Sequence, residues 1–76
     1  MKELVELLAK SLVDNPDQVE VREIDSERST IIELQVAPDD MGKVIGKQGK
    51  IARAIRTLTK AAAAKEGKRV VVEIMR

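Results

Sequence analysis

The sequence predicts an α+β fold with elements in the order α-β-β-α-α-β. Apolar residues recur at helical spacing over residues 2–13 and 50–65, and alternate at strand spacing over residues 30–36 and 70–75. Glycines at 46 and 49 mark a tight turn between two helical patterns. A chain of 76 residues has room for one domain, residues 1–76, near the size at which a single core only just suffices.

The first helix is expected over residues 2–13, where Leu4, Val5, Leu8 and Leu12 form the apolar face and Glu3, Glu6 and Lys10 lie elsewhere. Asp14-Asn15-Pro16-Asp17 ends it, since Pro16 cannot continue a helix and pushes Asn15 toward an extended backbone. From Gln18 to Ile24 the chain alternates at first, with Val19 and Val21 on one side, and then loses the pattern, which predicts a strand near an edge. After the polar link 25–29, Thr30, Ile32, Leu34 and Val36 share one face of the clearest strand. Ala37-Pro38-Asp39-Asp40 breaks it and offers Asp39 or Asp40 as the N-cap of a short helix through Ile45, stopped by Gly46. A long helix is expected from Lys50 to about Lys65, its apolar face carried by Ile51, Ile55, Leu58 and Ala62, with Gly67 just past its end. The β-branched run Val70 to Met75 closes the domain as a strand.

Composition removes several function classes. Cysteine and histidine are absent, which excludes disulfides, thiolate chemistry, imidazole catalysis and the usual zinc ligands. Aromatic residues are also absent, so bases cannot be stacked as RRM and OB-type binders stack them. The N-terminus lacks the features of a secretory signal and no apolar run approaches a membrane span, so a cytoplasmic location is expected. The formal net charge of +1 conceals a division. Residues 1–41 carry eleven acids and four bases, a net of −7, whereas residues 42–65 carry seven bases and no acid. A basic segment on an otherwise acidic chain is the pattern expected of an anion-binding face.

That segment contains Gly46-Lys47-Gln48-Gly49, a four-residue turn between two helices. Glycine at both ends permits positive φ and removes the Cβ atoms that would hold a phosphodiester away from the main chain. The turn delivers Lys50 into the first turn of the long helix, where exposed N–H groups and the helix dipole favour an anion. Capping glycines among solvated lysines is the plainer reading of the same four residues. A nucleotide-hydrolysing phosphate loop is excluded, because GxxxxGK[ST] would need glycine at Val44 and a hydroxyl at Ile51. Asp39 and Asp40 are adjacent carboxylates, but their place after Pro38 points to capping rather than acid-base work. No catalytic residue, metal site or cofactor is expected.

Val44-Ile45-Gly46-Lys47-Gln48-Gly49-Lys50-Ile51, after two strands and before a helix and a strand, resembles the KH domain, whose GxxG loop clamps a short stretch of nucleic-acid backbone. Two strands before the loop and one after is the type II order. The resemblance implies a three-stranded mixed sheet with the 30–36 strand in the middle, the last strand parallel to it, and three helices packed on one face. The match extends over APDDMGKVIGKQGKIARAIRTL and VVVEI to the whole chain, which is similar to the small single-domain bacterial KH proteins of the KhpA family. Membership would imply a post-transcriptional regulator or RNA chaperone that holds single-stranded RNA. It would also imply self-association as a homodimer and pairing with a larger KH-domain protein, KhpB (Jag/EloR).

Carried onto this chain, the RNA-binding residues are Lys43, Ile45, Gly46, Lys47, Gln48, Gly49, Lys50, Ile51 and Arg53. Backbone amides of 46–49 would approach phosphates, the lysines would neutralise them, and Gln48 would donate to a phosphate or sugar oxygen. Ile45 and Ile51 are equally readable as groove or core, Ile55 as core, and Arg56, Lys60 and Lys65 as a solvated or partner-facing surface. Ala52 stands where many KH domains carry a larger aliphatic residue. The alternative functions are a protein-interaction or dimerisation module, using the smooth Ala61 to Ala64 surface, or a ribosome-assembly factor with RNA binding secondary.

Overall fold

The computed structural model describes residues 1–75. Its elements run α1 (Lys2–Leu12), β1 (Glu20–Asp25), β2 (Thr30–Gln35), α2 (Met41–Ile45), α3 (Lys50–Lys65) and β3 (Val70–Ile74), with 3-10 turns at Pro16–Gln18, Pro38–Asp40 and Lys47–Gly49. The expected order is therefore the observed one. The sheet order is β1-β2-β3, antiparallel between β1 and β2 and parallel between β2 and β3, so the clearest strand of the sequence is central.

Register follows from alternation. Val21 lies opposite Leu34, and Ile32 and Leu34 lie opposite Val72 and Ile74. These side chains face the helices and join Val5, Ala9, Val44, Ile55 and Ala63 in one core. The intervening Ile24, Val71 and Glu73 are exposed on the other face, which is why the helices pack on one side only. Ile32, Leu34, Val5 and Val44 are completely buried, each worth roughly 1.5–3 kcal/mol of transfer free energy. With no aromatic ring available, such β-branched and leucine side chains supply most of the burial.

Four expectations are corrected. The first strand begins at Glu20 rather than Gln18 because Pro16 opens a 3-10 turn, in which Gln18 N donates to Asn15 O and Val19 N to Pro16 O at 3.0 and 3.1 Å. The buried face of α3 is Ala52, Ile55, Thr59 and Ala63, not the face containing Leu58, which is 52% exposed. Thr59 can replace it because its Oγ1 donates to Ile55 O at 2.7 Å, leaving only the methyl side to the core. On α1, Val5 and Ala9 are buried while Leu12, in the last turn, is 37% exposed.

The fourth correction concerns Asp40. It occupies the N-cap position of α2 but makes no side-chain cap hydrogen bond there. Its fully buried carboxylate instead accepts from Asp14 N at 3.1 Å, Asn15 N at 3.0 Å, Asn15 Nδ2 at 2.9 Å and Lys43 Nζ at 3.4 Å. The acid thus ties the loop after α1 to the start of α2, and Lys43 closes the link by pairing with Asp14 at 3.0 Å.

Candidate nucleic-acid interface

The turn between α2 and α3 is built on left-handed backbone. Gly46, Gln48 and Gly49 have φ of +75°, +58° and +73°, a conformation that is free for glycine and costs a side-chain-bearing residue about 1–2 kcal/mol. Gln48 is held there by Arg53, which donates from Nη2 to Gln48 O at 2.9 Å. Arg53, expected as a phosphate contact, is therefore also a brace that fixes the loop from one turn inside α3.

The two glycines meet different surroundings. A Cβ built on Gly46 would lie 2.5 Å from Ile51 Cγ1, whereas one built on Gly49 would meet nothing within 4 Å. Gly46 thus lets Ile51 pack beneath the turn, and Gly49 leaves the main chain open to an approaching group. No side chain caps the start of α3 behind it, and Lys47 and Lys50 stand exposed on either side. The four loop residues and Lys50 thus lie together at the head of α3.

Lys43 is placed differently. Its ammonium is engaged by Asp14 and Asp40, and hydrogen bonds to those two carboxylates raise its pKa above the ordinary lysine value against the opposing effect of burial. Burial pushes the Asp40 carboxyl up, but bonds from the Asn15 side chain, the Asp14 and Asn15 amides and Lys43 outweigh it, and its pKa lies below the usual carboxylate value.

Beside the turn runs a groove of about 280 Å³ lined by Ile45, Gly49, Ala52, Arg53, Arg56 and Ile74. Ile45 lines it, while Ile51 packs against the core beneath Gly46. Ala52, nearly buried, leaves the floor low. The far wall is the free edge of β3. Thr30 N donates to Arg69 O and Met75 N donates to Leu34 O, so the alternate residues Val70, Val72 and Ile74 turn their backbone polar groups away from β2.

Arg56 and Ile74 were not among the expected site residues. Arg56 reaches from α3 to that edge and donates from Nε to Val72 O at 3.2 Å. Its signal was available in the spacing: Gly49, Ala52, Arg53 and Arg56 recur at i, i+3, i+4 and i+7, one face of α3 leading away from the turn. Ile74 carried no such sign, because its place depends on the parallel pairing of β3.

A family model described as KhpA/KhpB, KH domain, matches residues 2–74. The chain belongs to this family. Among relatives named RNA-binding protein KhpA, that of Caldanaerobacter subterraneus subsp. tengcongensis is 72% identical and that of Clostridium acetobutylicum 69% identical, each over 99% of this chain and 100% of the relative. The Aquifex aeolicus relative is 59% identical over 99% of this chain and 95% of its own. Among solved structures, Era of Aquifex aeolicus bound to GDP and AlF4− superposes with a TM-score of 0.68 at 20% identity, over 96% of this chain and 28% of Era. Era in complex with MgGDPNP and nucleotides 1506–1542 of 16S ribosomal RNA gives 0.66 over the same shares. At that identity the likeness is one of fold. It agrees with the type II KH architecture, and a KhpA/KhpB-family KH domain is what the turn, groove and sheet together form.

Among the described residues, no group of three or more acidic, cysteine or histidine side chains could hold a metal ion, and no helix is long and apolar enough to cross a membrane.

Proposed function

We propose that this protein binds RNA, as its relatives' names say of them, and that it takes the RNA single-stranded, holding the backbone at Gly46–Gly49 and seating bases in the adjoining groove. The observation that carries the proposal is a left-handed turn, open at Gly49 and flanked by exposed Lys47 and Lys50, set against a groove that combines aliphatic side chains with Arg53 and Arg56 and is bounded by a strand edge. Lys47, Gln48 and Lys50 contact phosphate and sugar oxygens, Ile45 and Ile74 take the faces of bases, and Arg53 and Ile51 hold the turn in shape. Lys43 acts in the fold rather than on RNA. A cytoplasmic post-transcriptional role, as regulator or RNA chaperone, belongs to the same reading.

The test is Lys47→Asp with Gln48→Asp. Both glycines remain and both positions are exposed, so the circular-dichroism spectrum should be unchanged while RNA affinity measured by fluorescence anisotropy falls by on the order of tenfold or more. Equal affinity in the folded double variant would remove the turn from the site.

A second reading, self-association, is favoured by Leu7 and Leu58, 64% and 52% exposed on the helical layer. Leu58 is two positions from Arg56, hence about 200° around α3, on the flank away from the groove. We propose that flank as the contact for a second copy, or for a KhpB (Jag/EloR) partner where one is present. Dimerisation then leaves the RNA groove open. Leu58→Glu should shift sedimentation toward a monomer and leave RNA affinity per chain within about twofold.

A further inference from the structure

We propose that Arg56 is the base-selecting residue of the groove, and that it selects a base edge presenting two adjacent hydrogen-bond acceptors. The inference rests on the RNA reading above and concerns what the groove prefers once RNA is held.

Arg56 crosses the groove to the free edge of β3, where its Nε–H donates to Val72 O at 3.2 Å. That bond fixes the plane and direction of the guanidinium. Its two Nη atoms make no hydrogen bond to any described residue, and the side chain lines the groove together with Ile45, Ala52 and Ile74. The site is thus a groove with aliphatic walls and a small-residue floor, with one anchored donor fork at its edge. At about 280 Å³ it lies just under the size of drug-binding pockets, with room for a planar base.

The fork sets the selection. A guanidinium donates two parallel N–H bonds and accepts none, so it fits two neighbouring acceptors and opposes an edge on which a donor stands beside the acceptor. Guanine offers O6 and N7, and cytosine offers O2 and N3. Adenine sets its N6 amino group beside N7, and uracil sets its N3–H between O2 and O4. Guanine and cytosine share the favoured chemistry. The Arg53 guanidinium does not compete for the role, because it is turned to Gln48 O at the other end of the groove.

The experiment compares four short RNAs, all-A, all-U, all-C and alternating U-G hexamers, on the wild-type chain and on Arg56→Lys, which keeps the charge and loses the fork. The wild type should bind the C or the U-G hexamer about tenfold more tightly than the A and U hexamers, and whichever of the two is preferred names the base. Arg56→Lys should narrow the spread among the four to about twofold. In the same titrations the Arg56 Nε–Hε resonance should move with the preferred hexamer and stay in place with the A hexamer. RNA binding with an unchanged ranking in Arg56→Lys, or with no ranking in the wild type, overturns the role of Arg56 and leaves the RNA reading standing. Failure of the wild type to bind any hexamer overturns both.

Discussion

Adding a methyl group at Gly46 would place a Cβ 2.5 Å from Ile51 Cγ1 on backbone already at φ +75°, whereas at Gly49, with φ +73°, the new atom would meet open space. Gly46→Ala therefore combines left-handed strain with overpacking, together about 2–4 kcal/mol. Its thermal midpoint should fall by roughly 10 °C or more. Gly49→Ala carries the strain alone, about 1–2 kcal/mol, but its methyl group projects where a phosphate would approach. A folded Gly49→Ala protein should lose proportionally more RNA affinity than stability, and thermal melts alongside anisotropy separate the two effects. Asp40 supplies a pH signature at the same scale. Its folded-state pKa lies below the ordinary aspartate value of 3.8, so its stabilising contribution is complete above that value and is lost as pH falls through the lower folded value. Lys43, raised above 10.5, contributes fully below 10.5 and fades only as pH rises past its folded value. The melting difference between wild type and Asp40→Asn should therefore be constant across neutral pH and shrink in acid below about pH 3.8. A difference that shrank near pH 6 would contradict this assignment. The sequence reading found Asp40 but gave it the wrong partner, because the amides it binds are 25 and 26 residues away, beyond the reach of local capping rules.

At the scale of elements, the strands were legible because alternation has a period of two and the core lies on one face, so Ile32, Leu34, Val70 and Val72 declared themselves. Helix α3 was legible in extent but not in orientation. Counting hydrophobes put Leu58 inward, whereas the structure buries Thr59 and turns Leu58 out. A threonine whose hydroxyl is already given to the carbonyl four residues back is an apolar residue to its neighbours, and hydropathy does not record that. Small residues at 52 and 63 complete the same face and let α3 lie close on the sheet. Thr59→Val should consequently be neutral to within about 1 kcal/mol, since the hydroxyl it removes bonds only Ile55 O, which keeps its helical backbone partner. Thr59→Ala should cost about 1–2 kcal/mol for the space it leaves. Denaturant titrations of the pair check this. Equal losses would mean that the hydroxyl, not the methyl group, holds α3 in place.

Over the whole molecule, the division of charge was plain in the sequence, but the fold changes how much of it can act on RNA. Of the seven bases in residues 42–65, Lys43 is paired with two carboxylates, and Arg53 and Arg56 are bonded to backbone carbonyls on either side of the groove. Lys47 and Lys50 remain at the turn, while Lys60 and Lys65 lie farther along α3. If backbone gripping is confined to the turn, two phosphates are neutralised, and the logarithm of the binding constant should fall against the logarithm of salt concentration with a slope of about −1.4 for single-stranded RNA. If the basic segment instead attracts RNA along its whole length, all seven charges contribute and the slope approaches about −4.9. Anisotropy titrations over a salt series distinguish the two. The acidic first half of the chain, net −7 over residues 1–41, favours the shallow result, because RNA drawn beyond the turn would meet like charge on the rest of the surface. Lys47→Ala should then lower the magnitude of the slope by about 0.7, half of the total, and Lys60→Ala should leave it unchanged.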